Sequence, residues 1–450
     1  MIYYESNMLD VDLLRKEPDK VKKAIAAKNA DPKLVDNFLV LDEEWRKMTA
    51  ELEGLRAEQN RLSETVAAPG GGARLDSPSR RGREPRPAAG RDAAKTNKVK
   101  IKDREVDLSA IEKKREELWL KIPNLPSEDT PVGKDEAGNK VLRKVGEPRV
   151  FSAKGGSASG GDFKPKDHLE LGEGLGIIDF DAGAKVAGSG FYYLKNDGVL
   201  LELALVRYAL DFLRENGFDL WLTPDLAREK FYIGTGYQPR GPEAQTYVIE
   251  NSDLGLVATA EVTLAGIHAE EILDENTLPK LYAGYSHCFR QEAGAYGKYS
   301  RGLYRVHQFT KVEMFAYARP EDSPRIHEQL LTLEERLWQG LGIPYRVVEM
   351  CTGDLGAQAA RKFDLEAWMP GREDWGEVTS TSNTTDYQAR RLGTKLRRSN
   401  GKTEFIHTLN GTAIATSRGI IAIMENYQTA DGKIAVPKAL QQYMGKDMIG

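Results

Sequence analysis

The stretch FRQEAGAYGKYSRGLYRVHQFTKVEMF, residues 289–315, decides the fold of this chain. Its second half alternates apolar and polar residues, which is typical of a half-buried strand, and its first residues read as the end of another strand. The glycine-rich, basic middle predicts a connecting loop of about a dozen residues. Because residues two apart in a strand share a face, Arg290 and Glu292 are expected to point the same way.

The second strand of this hairpin places four further side chains on one face, namely Phe309, Lys311, Glu313 and Phe315. Arginine binds phosphate through two parallel hydrogen bonds, aromatic rings stack on bases, and a carboxylate pairs with an ammonium. The hairpin could therefore line a binding cavity, or it could carry an ordinary surface ladder of salt bridges. The long loop does not fix the register, so which residues stand opposite each other stays open.

Two later stretches favour the cavity. In NGTAIATSRG, residues 410–419, Arg418 precedes the apolar residues of a helix and needs an anionic or polar partner. In GEVTSTSN, residues 376–383, a glutamate and four hydroxyl residues share one strand, which is more polarity than sheet packing requires. Carboxylate and hydroxyl oxygens are hard ligands that suit Mg²⁺ bound to phosphates.

Around these stretches, short strands alternate with helices that we expect near residues 321–341, 356–362 and 417–427. Several strands follow one another as hairpins, so the sequence predicts an α+β catalytic domain with a mixed, mainly antiparallel sheet flanked by helices. The chain contains neither G-x-G-x-x-G nor G-x-x-x-x-G-K-[ST], so the two common nucleotide-binding loops have no support.

The N-terminal part has a different pattern. Apolar residues with 4,3 spacing predict a long helix with a heptad seam at Leu34, Phe38, Leu41, Trp45, Met48, Leu52, Leu55, Gln59 and Leu62. A weaker seam, which Arg115 interrupts, follows at Leu108, Ile111, Arg115, Leu118, Ile122 and Leu125. Two such helices predict an antiparallel helical hairpin, or coiled coil, within residues 1–125.

Residues 66–98 are expected to be an irregular, disordered tip of this hairpin, because proline, glycine, arginine and alanine dominate its first part. Its arginines indicate either a solvated linker or an RNA-contacting tip, and a locally shifted reading frame would produce a similar composition. Residues 126–165 are expected to be a linker, and residues 166–450 the catalytic domain.

The composition excludes several classes of protein. Of 450 residues, 29% are charged and 40% hydrophobic, and the net charge of −4 does not predict a globally basic nucleic-acid binder. The two cysteines, Cys288 and Cys351, exclude a disulfide framework and a cysteine-rich zinc site. No run of roughly eighteen apolar residues occurs and the N-terminal sequence lacks a signal pattern, so we expect a cytoplasmic protein without membrane spans.

Taken together, these stretches resemble the motifs of class II aminoacyl-tRNA synthetases. Residues 289–315 resemble motif 2, NGTAIATSRGIIAIMEN (410–426) resembles motif 3, and residues 191–226, with Pro224, resemble motif 1. With ATAEVTLAGIHA (258–269) and the helical hairpin, the pattern is similar to the seryl-tRNA synthetase family of the bacterial type. The resemblance covers residues 8–65 and 99–450.

The resemblance implies ATP-dependent activation of L-serine to seryl-adenylate, with release of pyrophosphate. Serine would then pass to the 3′ end of tRNA(Ser), and also of tRNA(Sec). Arg290, Glu292 and Arg418 would be the catalytic residues: Arg290 would hold the α-phosphate and the serine carboxylate, Glu292 the adenine amine, and Arg418 the γ-phosphate. Phe309 would stack on adenine opposite Arg418.

The implied ATP contacts are Arg290, Gln291, Glu292, Val306, Phe309, Glu377, Val378, Thr379, Ser380 and Arg418. The implied serine contacts are Thr259, Ala260, Glu261, Arg290, Glu313 and Thr412, with the carboxylates receiving the ammonium. Glu377 and Ser380 would hold Mg²⁺ with the ATP, and no zinc is expected.

The resemblance also implies partners: tRNA through the N-terminal hairpin and the loop 293–305, and a second copy of the chain through the motif 1 region. Two rival functions remain. A relative that activates a small amino acid for a carrier protein would lack the helical hairpin, and a non-catalytic RNA-binding paralogue would have no use for buried phosphate ligands. A coiled-coil scaffold is disfavoured because most of the chain is not heptad.

Overall fold

The computed structural model describes residues 9–67, 88–149, 151, 163–237, 245–292 and 302–450. These residues belong to two compact units. The first comprises Val11–Lys23 and Asp31–Ile122, and the second comprises Met1–Asp10, Ala24–Ala30 and Pro123–Gly450.

The α-helices of the described part are α1 Val11–Lys16, α2 Pro18–Ala27, α3 Lys33–Ala67, α4 Ala88–Lys121, α5 His168–Gly174, α6 Phe180–Ala187, α7 Asp197–Glu215, α8 Glu229–Thr235, α9 Glu261–Gly266, α10 Ser323–Gly340, α11 Tyr387–Leu392, α12 Thr416–Tyr427 and α13 Lys438–Met444. Its strands are β1 Lys140–Val145, β2 Ile178–Asp179, β3 Tyr193–Leu194, β4 Asp219–Leu222, β5 Leu226–Arg228, β6 Leu254–Leu256, β7 Ile272–Asp274, β8 Lys280–Phe289, β9 Gln308–Ala318, β10 Tyr345–Glu349, β11 Arg361–Met369, β12 Asp374–Thr385, β13 Lys395–Arg397, β14 Thr403–Phe405, β15 His407–Ala415, β16 Ile434–Ala435 and β17 Met448–Ile449.

Helices α3 and α4 form the predicted hairpin in the first unit. Met48 and Leu52 of α3 are buried against Leu108 of α4, as the heptad seams predicted. Farther along, Asn97 adds a polar layer, because its side-chain amide donates to the carbonyl oxygen of Leu55 at 2.9 Å. The two helices are therefore joined by an apolar contact at Leu108 and by a polar contact at Asn97.

The arginine that interrupts the second seam has a partner inside the hairpin. Arg115 pairs with the fully buried carboxylate of Asp42 at 2.8 Å. Its guanidinium also lies 4.7 Å from the ring centroid of Trp45 and 4.9 Å from that of Trp119. A buried carboxylate requires such a counter-ion, so the break in the heptad pattern is compensated by an ion pair between the helices.

The predicted irregular tip is shorter than the sequence suggested. Helix α4 begins at Ala88, so residues 88–98, which we assigned to the tip, are helical. The segment after Pro87 is rich in alanine, lysine and other helix formers, and their propensity outweighs its single glycine. Residues 66 and 67, also assigned to the tip, end helix α3, and residues 68–87 lie outside the described residues.

The second unit contains the expected mixed, mainly antiparallel sheet. Its eight strands have the order β1-β10-β11-β12-β15-β9-β8-β4. Neighbouring strands are antiparallel except β4 and β8, which run parallel. The central hairpin β8–β9 pairs Phe289 with Gln308 and Gly284 with Glu313, which gives the register that the sequence left open.

Two expectations in this unit are wrong. Part of the predicted linker is strand β1, which pairs with β10 at the sheet edge; this strand is short and exposed, so no strong alternation marked it. Residues 356–362 do not form a helix, because Arg361 and Lys362 already belong to β11. Ala359 and Ala360, just before this strand, are buried.

Helices α7, α10 and α12 pack against the sheet and build its main hydrophobic core. The core side chains include Leu205 of α7, Trp338 of α10 and Ile421 of α12, all of them buried. This packing holds the first turn of α12, with Arg418, beside the strands that carry the candidate site. None of the described helices has both the length and the apolar character that crossing a bilayer requires.

Candidate active site

A cleft opens where the central hairpin, strands β12 and β15 and the start of α12 meet. Most of the implied nucleotide contacts lie together in it, although they are spread over more than a hundred positions of the sequence. The residues that line the cleft are Arg290, Glu292, Tyr304, Val306, Phe309, Lys311, Glu377, Val378, Thr379, Thr412, Ala415, Ser417 and Arg418.

Arg290 and Glu292 reach the cleft in a way that the alternation rule did not predict. Strand β8 ends at Phe289, so neither residue belongs to a strand. The backbone N–H of Arg290 still donates to the carbonyl oxygen of His307 at 3.0 Å, while Glu292 has a left-handed φ of 49°. This conformation costs a non-glycine residue about 1–2 kcal/mol. Both side chains line the cleft.

The guanidinium of Arg290 lies over an aromatic ring. Its Cζ atom is 5.2 Å from the ring centroid of Phe309, and its Nε donates to the carbonyl oxygen of Ala258 at 3.4 Å. The pair Cys288–Phe309 is the last but one of the β8–β9 ladder, so the rigid sheet sets where the ring stands. The hairpin therefore presents a cation and a stacking surface together.

Arg418 meets its anionic partner at the opposite wall of the cleft. Its Nη1 lies 3.0 Å from Oε1 of Glu377 and also donates to the backbone oxygen of Glu377 at 3.0 Å. Desolvation disfavours the charged carboxylate, but Arg418 and Lys362 outweigh that effect and lower the pKa of Glu377 to about 2. The guanidinium also lies 4.8 Å from the ring of Tyr304, a contact that sequence reasoning missed.

A β-bulge decides which hydroxyl accompanies Glu377. In an uninterrupted strand, Glu377 and Ser380 would point to opposite faces. Here the β11–β12 ladder pairs Glu366 with Glu377 but Leu365 with Thr379, so Val378 is an extra residue. Since Asp364 pairs with Ser380, the skip places Glu377 and Ser380 on one face of the sheet.

The same face carries an acid that sequence reasoning did not single out. Asp364 is buried, its Oδ1 has no hydrogen-bond partner among the described residues, and Nζ of Lys362 lies 3.6 Å from it. Burial raises the pKa of Asp364 to about 7, and the neighbouring Glu377 adds to that shift. Thr379 points the other way, because its hydroxyl donates to buried Glu334 of α10 at 2.8 Å. In the sequence, the alternation of polar and apolar residues in KFDLE, residues 362–366, could have indicated Asp364 as a further candidate.

A second group of side chains surrounds Glu261, the first residue of α9. Oε1 of this buried carboxylate accepts from the amides of Gln388 at 2.7 Å and Asn410 at 2.9 Å, and Oε2 accepts from Tyr237 at 3.1 Å. Burial, followed by the charge of Glu313, raises the pKa of Glu261 to about 7. Thr259 adjoins this group, since its hydroxyl oxygen accepts from the Glu261 N–H at 3.3 Å.

Glu313 lies beside a resident cation. It forms a short ion pair with Lys311, and Nζ of Lys311 also donates to the hydroxyl of Thr412 at 3.3 Å. Thr412 stands opposite Glu313 in the β15–β9 ladder, so the three side chains share one face. Lys311 belongs to the polar face noted in the sequence but was not among the candidate site residues.

The remaining candidates have other surroundings. The side chain of Gln291 donates to the carbonyl oxygen of Thr246 at 3.0 Å and does not line the cleft. Ala260 is buried immediately before α9. Residues 293–301, most of the loop that the resemblance connects with tRNA, lie outside the described residues.

Two family models match this chain. One is described as the tRNA synthetase class II core domain (G, H, P, S and T) and matches residues 246–427. The other is described as the seryl-tRNA synthetase N-terminal domain and matches residues 8–126. Together they include the helical hairpin and nearly every residue of the cleft.

Individual proteins resemble the chain over nearly their full length. The serine–tRNA ligase of Rubrobacter xylanophilus is 52% identical over 98% of this chain and 99% of that relative. The crystal structure of seryl-tRNA synthetase from Pyrococcus horikoshii complexed with ATP has a TM-score of 0.86 and 42% identity, covering 98% of this chain and 99% of the other. The cytoplasmic serine–tRNA ligase from Naegleria fowleri in complex with AMP has a TM-score of 0.81 and 34% identity, covering 98% of both chains.

Proposed function

The chain belongs to the seryl-tRNA synthetase family of class II aminoacyl-tRNA synthetases, and from that membership we propose how its residues activate L-serine with ATP. The enzyme is an aminoacyl-tRNA ligase: serine's carboxylate attacks the α-phosphorus of ATP, pyrophosphate leaves, and the seryl group then passes to tRNA(Ser). The single observation that carries the proposal is a cleft with two cations next to a group of buried acids. Arg290 and Arg418 line the cleft. The buried acids Glu261 and Glu313 lie near Lys311 at its wall.

The proposed chemistry needs no protein nucleophile. Arg290 would neutralise the α-phosphate and hold the serine carboxylate in line with it, which positions the attacking oxygen and offsets charge in the transition state. Phe309 would stack on the adenine, and Glu292 would accept from the adenine amine. Arg418 would hold the γ-phosphate and so would stabilise the charge on the departing pyrophosphate, while Arg290 stays with the α-phosphate.

The residues at the bulge fit a divalent cation. Glu377 is ionised, Ser380 shares its face, and the orphaned Oδ1 of Asp364 lies on the same side. An Mg²⁺ ion held by these residues would supply charge neutralisation for the triphosphate. We infer that Glu377 and Ser380 hold it, while Arg418 keeps Glu377 charged and oriented before ATP arrives.

We infer that tRNA binds through the α3–α4 hairpin and the loop 293–305, and that tRNA(Sec) is charged as well as tRNA(Ser). Because tRNA is the second substrate, we place the reaction in the cytoplasm. We also infer a homodimer through the motif 1 region. In support, α7 exposes Val199, Leu200 and Leu203, and the neighbouring edge strand β4 exposes Trp221 and Leu222. A single-chain mass in sedimentation equilibrium would contradict the dimer.

The assignment is tested by pyrophosphate exchange with serine, threonine, alanine, glycine and cysteine, followed by aminoacylation of tRNA(Ser). Serine is expected to exceed alanine and glycine by about 10⁴-fold in kcat/KM, because a site built around a hydroxyl leaves polar groups unpaired with an analogue that lacks it. Efficient exchange with glycine or alanine, with transfer to a carrier protein, would favour the carrier-directed relative. Absence of exchange with every amino acid would favour the non-catalytic paralogue.

A pH dependence follows from Glu261. Serine's ammonium needs an ionised acceptor, and the pKa of Glu261 is raised to about 7 in the free enzyme. As pH falls below this value the protonated fraction grows, so kcat/KM for serine is expected to fall about tenfold per pH unit. Glu261→Gln is expected to lower kcat/KM at high pH and to flatten this limb of the profile. A profile that keeps the same slope in the variant would assign the titration to another group.

A further inference from the structure

The proposed amino-acid pocket, formed by buried side chains next to the cleft, contains more negative charge than one amino-acid ammonium can balance. Glu261 is 2% exposed and Glu313 is 1% exposed, and the charge of Glu313 acts on Glu261. A substrate amino acid supplies one ammonium, and its carboxylate is the proposed partner of Arg290. A second buried carboxylate without a cation would be strongly unfavourable, so the pocket needs a resident counter-ion.

The structure contains that counter-ion. Lys311 is 6% exposed, it is ion-paired with Glu313, and it donates to the Thr412 hydroxyl at 3.3 Å. The two acids therefore differ in their surroundings: Glu261 is bound by neutral donors from Gln388, Asn410 and Tyr237, whereas Glu313 already has a positive partner. Charge balance leaves Glu261 as the carboxylate that requires a substrate cation.

We propose that Lys311 is a specificity-determining residue, which neutralises Glu313 and converts it from an ammonium acceptor into one half of a site for a neutral hydroxyl. Lys311 and Thr412 can donate a hydrogen bond to such a hydroxyl, and a carboxylate oxygen of Glu313 can accept one from it. A hydroxyl accepts and donates a hydrogen bond at the same time, while a methyl group does neither. An ammonium would be repelled by the like charge of Lys311. This inference rests on the proposed function, because it concerns the side chain of the amino acid activated there.

The test compares L-serine with two analogues of the same length, L-alanine and L-2,3-diaminopropionate, which carries an amine in place of the hydroxyl. Lys311→Met keeps the length of the side chain and removes its charge. In this variant we expect the KM for serine to rise about 100-fold, because a hydrogen bond to a charged group is lost, with a smaller change in kcat. The KM for alanine, measured where exchange is detectable, should change less than about threefold.

The decisive measurement is a gain in the binding of diaminopropionate, not only a loss in the binding of serine. Without Lys311, the unbalanced Glu313 should attract the second ammonium, so inhibition by diaminopropionate relative to serine should strengthen by about 10- to 100-fold. A lysine with a merely structural role would weaken all three ligands together. In Lys311→Met/Glu313→Gln both charges are removed, and the gain for diaminopropionate should disappear.

Controls separate this inference from the proposed function. Lys280→Met, on the same hairpin but away from the cleft, should behave as the wild type, and Lys311→Gln should show the same direction if the methionine variant does not fold. Unchanged selectivity among the three ligands in a Lys311 variant, or a diaminopropionate gain that persists in the double variant, would overturn the inference. Failure of the wild type to exchange with serine would instead overturn the proposed function.

Discussion

Replacing Arg290 with alanine is expected to lower kcat/KM for serine-dependent ATP–pyrophosphate exchange by about 10³-fold or more. The residue is proposed to contact both reactants, so its loss removes positioning as well as charge neutralisation at the α-phosphate. The fold should persist, because Arg290 contributes to its neighbourhood chiefly through its backbone bond to His307 and its contact with Phe309. The measurements are exchange kinetics and the thermal unfolding midpoint.

Two further variants make this result interpretable. Arg290→Lys keeps the charge but lacks the planar fork, so it should recover only a small part of the activity. Arg397→Ala removes an exposed arginine of the small sheet, and its exchange rate should match that of the wild type. Retained exchange in Arg290→Ala with a normal unfolding midpoint would remove Arg290 from the catalytic role.

The second large effect is expected at Arg418. Arg418→Ala should lower kcat/KM for ATP by about 10²- to 10³-fold, because it removes the proposed γ-phosphate ligand. Arg418 also helps to lower the pKa of Glu377 to about 2. Its removal therefore leaves this carboxylate without its ion-pair partner. Because Arg418 is proposed to orient Glu377 for Mg²⁺, its loss should also weaken the binding of the metal with ATP.

The nucleotide itself supplies the control for Arg418. AMP has no γ-phosphate, so in Arg418→Ala its inhibition constant should change much less than the affinity for ATP, because AMP loses only the contact that Arg418 would make with adenine opposite Phe309. Equal losses for AMP and ATP would show that the substitution disturbs the whole cleft. Unchanged ATP affinity would place the γ-phosphate elsewhere.

The sequence was informative where a pattern depends on local geometry. Strand alternation placed Phe309, Lys311 and Glu313 on one face, and heptad spacing predicted the pairing of α3 with α4. The register of the central hairpin could not be predicted, because a long loop leaves its two strands free to slide in principle. The same rule failed for Arg290 and Glu292, since the strand ends one residue before them.

Other features depend on partners that are distant in the sequence. The bulge at Val378 arises from pairing with β11 and cannot be recognised in GEVTSTSN alone, yet it decides that Glu377 and Ser380 share a face. Arg115 interrupts a heptad because Asp42, about seventy residues earlier, is buried against it. Such tertiary pairings override local periodicity, so the individual motifs predicted the residue types of the site better than its geometry.

Strand β1 has a consequence for how the polypeptide is made. Its partner β10 lies about 200 residues later, so at ordinary rates of translation β1 waits roughly 10–40 s before that partner is synthesised. During this interval its backbone groups are open to pairing with other nascent chains. Lys140, Arg143 and Lys144 give it a positive charge that opposes such association, which is how edge strands commonly avoid pairing with other chains.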